Sequence, residues 1–581
     1  MTDPRRRLLA VALGETPPDL LVAGGEVLNV YTGELLRADV AVAGDAIAAV
    51  APDLERTAGP ATARIDARGR VLVPGFVDAH THLDVFVALP DLLREAIPRG
   101  LTAVVTEMTQ VTSALGLEGA RWFLETLRAQ PIHAFATAPV ISYLTAEDAA
   151  GDPVISATEL AWLLEDPQVL GLGEVYWHRL LPEPDRLLPL MARARALGKT
   201  VEGHSAGARG PRLAACAAMG VDSCHEPITA GEALERLRLG MRVLIRQGSI
   251  RRDLDAVLAV SETGVSLRRA ALVSDGVWPG DLLAHGYMDG IVQAAIERGV
   301  PPVTAYQMAS LNPAEHFGLD RRLGGLAPGR SADLLVLPDL RTVRPELVLA
   351  RGRIAAREGR CLVPCPAPPF PAGLYDGPRP GPLDPSSFRL AAAGSRARVR
   401  VIRAAADIVT EEAVGELPVR DGAVVADPAA DLLLAAVLDR RGAGRRGLGV
   451  VQGFGLREGA IASSVSFDAA DLVVVGAGLE AMAAAVQRVV ALGGGLAVVD
   501  GAGAVRAQVA LPLGGVAAAA PVPEVARELR ALEGALRGLG CALARPLLTL
   551  QTLTFSAVPA LRLTSRGLLA VKTRTIVPAL L

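Results

Sequence analysis

Five short apolar runs in this chain end in six side chains able to hold a metal ion: His80 and His82 in VLVPGFVDAHTHLD, Glu174 in VLGLGE, His204 in TVEGH, His225 in VDSCH and Asp275 in AALVSD. Runs of this length, bounded by turn residues, read as buried β-strands. Alternation by two puts both imidazoles of the first run on one side of the strand, free to share one cation. TAVVTEM at 102–108, HAFATAPV at 133–140 and RVLIRQGS at 242–249 read as the remaining strands. Helix-like stretches such as PRLAACAAMG and GEALERLRLG lie between them. Eight strands alternating with helices predict an α/β chain built on a parallel (β/α)₈ barrel, whose catalytic groups belong at the carboxyl ends of the strands. All six candidates stand at that end.

A single histidine after an apolar run is more often a packed residue than a ligand. Here four of only eight histidines occupy such positions, so the pattern counts jointly. His133 opens its strand and His316, in LNPAEHFGL, falls on a helix; both read as structural. His178 and His285 lie near the site in sequence and are assigned to neither role.

PGFVDAHTH, GLGE, EGHSAGARG, SCHEPITAGEALERLRLGMRVLIRQGS, LNPAEHFGL and LGGLAPGRSADLLVL together resemble the amidohydrolase superfamily and, within it, the adenine deaminase family. In the last third, GLGVVQGFGLREGAIASSV, GGG and LPLGG resemble that family's additional carboxy-terminal domain. The likeness covers most of the chain from about residue 20. The HxH alone marks only the superfamily, whereas the GEALERLRLGM and GFGLREGAIASS blocks are narrower.

The resemblance implies two divalent transition metals per chain. Many relatives bridge the pair with a carbamylated lysine on strand four, but this chain has only Lys199 and Lys572, and Lys199 precedes its strand. Glu174 would then bridge, as the likeness to adenine deaminases implies, with His80, His82 and Asp275 on one metal and His204 and His225 on the other. Mixed imidazole and carboxylate ligands suit zinc, manganese or iron; the resemblance favours manganese or iron. A cation held there lowers the pKa of bound water to about 7, and Asp275 is placed to take its proton and return it to the departing nitrogen. Glu174 and Asp275 are thus the expected catalytic carboxylates. The implied reaction turns adenine and water into hypoxanthine and ammonia, or acts on a related aminopurine. The alternatives are a cyclic amide hydrolase and an inactive ligand-binding relative.

The chain departs from the family around the substrate. HIES becomes His82-Leu83-Asp84-Val85, DPHE becomes Glu107-Met108-Thr109-Gln110, and DDRHP becomes Asp275-Gly276-Val277-Trp278-Pro279. REGS becomes Arg246-Gln247-Gly248-Ser249, GHID becomes Gly286-Tyr287-Met288-Asp289, and HDSHN becomes Phe467-Asp468-Ala469-Ala470-Asp471. Polar groups give way to apolar or aromatic ones. Asp84, Tyr176, Arg246 and Trp278 are the expected substrate contacts, in a site where Phe86, Trp177 and Tyr287 are also available for ring stacking.

Net charge is −3 and the arginines are dispersed, so a purine-like small molecule rather than nucleic acid is the expected partner. No membrane anchor or signal peptide is read in MTDPRRRLLAVALGETPP. Five cysteines with no paired spacing favour a reducing cytoplasm. The chain is expected to act as a homo-oligomer. Four regions follow from composition: a composite β-domain of 19–70 with 325–362, the barrel at 71–324, a Pro-rich linker at 363–384 and a mixed α/β domain at 385–581. LVVVGAGLEAMAAAVQRVVALGGGLAVV reads as strand, helix, strand.

Overall fold

The computed structural model describes residues 3–144, 154–406, 408–558 and 560–581. Its centre is a ring of eight strands: β1 Phe76–His82, β2 Leu101–Glu107, β3 His133–Ala138, β4 Val169–Tyr176, β5 Thr200–His204, β6 Ser223–Cys224, β7 Arg242–Arg246 and β8 Ala270–Val273. They pair in parallel and in chain order as two arcs, β1 to β5 and β6 to β8. Single backbone hydrogen bonds join the arcs, Asp222 N to Val201 O at 2.9 Å and Asp275 N to His80 O at 3.0 Å. The expected barrel is therefore present. Strands buried on both faces need continuous apolar sequence, and Val77, Ala79, Ala103, Val105, Leu244, Ala271 and Val273 fill the interior with Phe317 and Leu323.

Two strands break regular pairing where the site begins. Along β1, Asp78 pairs with Val104 but Thr81 with Thr106, so β1 spends three residues against two of β2. Along β4, Leu172 pairs with Val201 but Val175 with Gly203, the same excess of one residue. These are β-bulges, which re-aim the side chains that follow. In β1 the bulge changes parity: residues 77 and 79 face the apolar interior, while the imidazoles at 80 and 82 reach the mouth.

Strands from both flanks of the barrel meet in one β-sheet. Strands Leu334–Leu337, Leu347–Ala350 and Arg353–Arg357 extend a seven-stranded sheet that also contains Glu26–Asn29. One boundary shifts: Val71–Pro74, placed in the barrel by composition, pairs with Glu26–Asn29 and Leu334–Leu337, so the barrel proper starts at Phe76. The Pro-rich stretch is tied down rather than free. Phe370 packs edge-on to Trp122 at 5.0 Å, and Arg440 donates to the Tyr375 hydroxyl at 2.9 Å.

The last third is built on a nine-stranded sheet with helices Leu479–Ala491 and Val522–Gly538 against it. Strand Leu472–Gly476, helix Leu479–Ala491 and strand Gly495–Val499 follow the order read from the sequence. Strand Ala460–Ser463 of the GFGLREGAIASSV segment lies inside this sheet. Ala517–Ala518 pairs with Phe86–Val87 just after β1, and Leu433, Val473 and Leu550 share one apolar core with the barrel's outer layer. Among the described residues no helix is long and apolar enough to cross a membrane.

Because that core is continuous, cutting the chain at residue 384 exposes the apolar face that the last third covers. The fragment is expected to aggregate and to lack the cooperative thermal transition of the full chain. Size exclusion and calorimetry check this; a monodisperse, cooperatively melting fragment contradicts it.

Candidate active site

Three imidazoles converge on one oxygen. Glu174 Oε1 lies 3.2 Å from His225 Nε2, 3.5 Å from His80 Nε2 and 3.8 Å from His82 Nε2. Asp275 Oδ1 faces the same pair from β8, 3.2 Å from His80 Nε2 and 3.5 Å from His82 Nε2. Donor atoms of His80, His82, Glu174 and Asp275 fall within 4.8 Å of one another. A second group, also within 4.8 Å, comprises His204, His225 and Glu226. The structure thus brings all six expected residues together and adds Glu226, which lies 3.4 Å from both His204 and His225. Glu226 follows a histidine in sequence and carries no strand signal of its own, so only the fold exposes it as a candidate ligand.

Backbone strain marks the same place. Glu174 sits at φ 29° and Asp275 at φ 54°, and Phe86 and Asp468, which line the same cavity, are at 65° and 70°. Each left-handed non-glycine residue costs about 1–3 kcal/mol and persists where its surroundings fix it. Around Asp275 the fixing is visible. Its N–H binds His80 O, Ser274 Oγ donates to Asp78 at 2.6 Å, and the Tyr287 hydroxyl donates to Asp78 at 2.9 Å. Ser274 thus ties the end of β8 to β1, and Tyr287 is bonded to β1 rather than lining the cavity.

Charges in this buried cluster settle one another. Burial pushes the Glu174 carboxyl up, but His225, His80 and His82 outweigh it and hold it well below the usual carboxylate range. Burial likewise opposes Asp275, and contacts with His80 and His82 and the Arg246 charge pull it well below its usual value. His82 is disfavoured as a cation by burial, yet Asp275 and Glu174 raise it to about 9. His225 falls to about 4 through burial and the neighbouring His80 charge. Glu107, fully enclosed and 3.9 Å from His80 Nδ1, is raised to about 8 by burial and the Glu174 charge.

The four expected substrate contacts divide. Trp278 lines the cavity and meets Phe86 edge-on at 5.0 Å. Tyr176 also lines it, donating its hydroxyl to Asp468 at 3.0 Å and packing 4.8 Å from His204. Arg246 reaches the wall with its guanidinium committed to carboxylates: Glu226, Asp253 at 2.8 Å and Asp275 at 3.4 Å. It balances the acidic cluster. Asp84 lies outside this lining and bounds another cavity, its Oδ2 accepting from Val111 N at 2.9 Å at the start of helix Thr109–Arg128. Its carboxylate is turned to that helix terminus.

Sequence reasoning missed the polar edge of the cavity. Both ends of the Gln551 amide, Gln110 Oε1 and Thr109 Oγ1 are buried there without a hydrogen-bond partner. Gln551, Phe467, Asp468 and Phe555 all come from the last third, so this domain roofs the site. Asp468 is itself anchored by Ser556, whose N and Oγ both donate at 2.8 Å. The other histidines are placed by local contacts: His133 against Ser331 at 3.0 Å, His316 against Glu202 at 2.9 Å, and His178 stacked on Tyr176 at 5.4 Å. His285 is largely exposed, and Lys199 binds Leu164 O and Asp166 O at the opposite end of β5.

A parallel barrel with an HxH strand, a strand-four carboxylate, two further histidines and an aspartate after strand eight defines an amidohydrolase. Residues 218–355 match the amidohydrolase family and residues 407–575 the adenine deaminase C-terminal domain. The adenine deaminase of Moorella thermoacetica is 39% identical over 574 residues, covering 97% of this chain and 96% of that protein. That of Rubrobacter xylanophilus is 38% identical over 580 residues, covering 97% and 95%. The chain belongs to the adenine deaminase family. Among solved structures, the β-aspartyl dipeptidase of Fervidobacterium islandicum AW-1 is similar at TM-score 0.48 and 18% identity, covering 59% of this chain and 97% of that one. The family and the clustered buried donors together indicate a divalent metal.

Protein stripped of metal should report this electrostatics. His82 rises from 6.5 to about 9 and Glu107 from 4.5 to about 8, so the folded state binds more protons than the unfolded one above pH 6.5. The His82 contribution is complete below 6.5 and disappears as pH rises through 9; that of Glu107 is lost from 4.5 through 8, in the same direction. The melting temperature of chelator-treated protein is expected to fall between pH 6.5 and 9, and metal uptake at pH 7.5 to release protons. A melting temperature that rises over that interval contradicts this assignment.

Proposed function

We propose that this chain is a divalent-metal-dependent aminohydrolase that removes the exocyclic amine of adenine, or of a closely related aminopurine, releasing ammonia. The observation that carries the reading is one cavity lined by Asp275, Glu174, His82 and His225 together with the unpartnered amide of Gln551 and the unpartnered Oε1 of Gln110. A glutamine amide offers a donor and an acceptor side by side, which complements the paired nitrogen edge of an adenine ring. Phe86, Trp278, Phe467 and Phe555 supply flat apolar walls for the ring.

In this reading His80, His82, Glu174 and Asp275 would hold one cation and His204, His225 and Glu226 a second. Two metals per chain, manganese or iron before zinc, are assigned on the donor set and on family membership. When bound, such a cation acidifies a water to near neutrality and so supplies the nucleophile. Asp275, kept ionised by its neighbours, receives the water's proton on its carboxylate. It passes that proton to the amino nitrogen as the C–N bond breaks and the new C–O bond remains. Arg246 limits the repulsion among Glu226, Asp253 and Asp275 throughout. The substrate is a small purine-like molecule, and the five free thiols suit a reducing cytoplasm.

Ammonia release from adenine by the metal-loaded protein tests the reaction. Glu174→Gln is expected to lower metal content and turnover together, because the oxygen on which the imidazoles converge loses its charge. Full occupancy with full turnover would remove Glu174 from the site.

The apolar walls favour an alkylated exocyclic nitrogen over a bare amine, since aromatic side chains stand where the family carries polar ones. The kcat/KM for N6-methyladenine is expected to exceed that for adenine by about one power of ten, the factor carried by roughly 1.4 kcal/mol in the transition state. A clear preference for adenine returns the protein to ordinary adenine deamination. Asp275→Asn should abolish turnover of both.

A further inference from the structure

Beside the catalytic cavity lies another, of about 270 Å³. Its walls are mostly apolar, with Leu83, Val87, Val111, Phe123, Phe370 and Val516 drawn from the barrel, the Pro-rich stretch and the last third, and Asp91 and Thr126 also at the lining. Two polar atoms on lining residues are buried without a partner, the acceptor Asp84 Oδ1 and the donor Trp122 Nε1. Asp84 is only 4% exposed, and its other oxygen is already used by Val111 N.

Unmatched buried donors and acceptors are rare and unfavourable, and each one calls for a specific explanation. A single occupant that accepts from Trp122 and donates to Asp84 satisfies both. Waters could serve the two polar atoms, but they would leave the apolar walls wetted, and apolar cavities favour apolar occupants. The volume is just under the range that holds drug-sized ligands, which suits a molecule of one or two fused rings. Trp122 and Phe370, edge-to-face at 5.0 Å, provide ring surfaces against which a flat molecule packs.

We propose that this chamber is a second ligand site, separate from the catalytic one, for a neutral planar heterocycle that presents an N–H to Asp84 and a ring nitrogen or carbonyl oxygen to Trp122, the chemistry of a free nucleobase. The two sites share a wall one residue thick. Gln110 faces the catalytic cavity and Val111 this one; Phe86 faces the catalytic cavity and Val87 this one. An occupant here rests against the same turn that follows His82, so its binding bears on the catalytic wall. The assignment does not depend on which amine the catalytic site removes.

Hypoxanthine, which has an adjacent N–H and carbonyl and no exocyclic amine to lose, is the probe. Equilibrium dialysis against the full-length, metal-loaded protein is expected to find two sites per chain. One should weaken at least tenfold in Trp122→Phe, which keeps the ring and removes the donor, and in Asp84→Asn, which turns the acceptor facing the cavity into a donor. The other should instead weaken in Gln551→Leu. Crystals soaked in hypoxanthine should hold the base between Asp84 and Trp122. Binding indifferent to both Trp122→Phe and Asp84→Asn, or soaked crystals with only waters in the chamber, overturns the second site. Loss of the Gln551-dependent site alone bears on the catalytic reading and leaves this one standing. If either variant fails to fold, the soak of the unaltered protein decides.

Discussion

The convergence of three imidazoles on Glu174 Oε1 is the constraint around which the barrel mouth is arranged. A carboxylate with no solvent to share its charge is tolerated only when partners surround it, and here the imidazoles arrive from β1 and from the end of β6, two of them shared with Asp275 at the end of β8. Bringing them to one point requires irregular backbone. The bulges in β1 and β4 and the left-handed conformations of Glu174 and Asp275 are where that requirement shows. Arg246 completes the balance, since Glu226, Asp253 and Asp275 would otherwise repel within one desolvated pocket.

The candidate ligands and the cover of the cavity come from two parts of the molecule. Every candidate metal ligand belongs to the barrel, whose strands fix side chains rigidly. The roof belongs to the last third, where Phe467, Gln551 and Phe555 close the cavity and Asp468 links Tyr176 to Ser556. Tyr176 ends β4 two residues beyond Glu174, so the contact that seats the roof also holds the strand carrying the central carboxylate. This division lets the pocket change while the reaction persists.

The barrel and the clustering of the six candidate side chains were legible in the sequence because each rests on a local signal: an apolar run of strand length, a turn after it, a titratable side chain at its end. The strand–helix–strand order of Leu472–Val499 was legible for the same reason. Strand Val71–Pro74 was misassigned because an apolar run does not say which sheet it joins; hydrogen-bond partners far away in the chain decide that.

Sequence by itself determined the fold class and which side chains stand at the strand ends, because alternation and strand length follow from backbone geometry that every residue obeys. Only the tertiary structure decided which neighbours those donors have. A bulge is an extra residue relative to a partner strand, so neither bulge exists in one strand read alone. Glu226 becomes a candidate ligand through the arc of β6 against β5, and Asp84 turns to the Val111 amide because that helix starts within its reach. Gln551, more than two hundred residues beyond Asp275 along the chain, faces the cavity through the docking of the last domain. Contacts of that separation depend on packing between surfaces that no local pattern encodes.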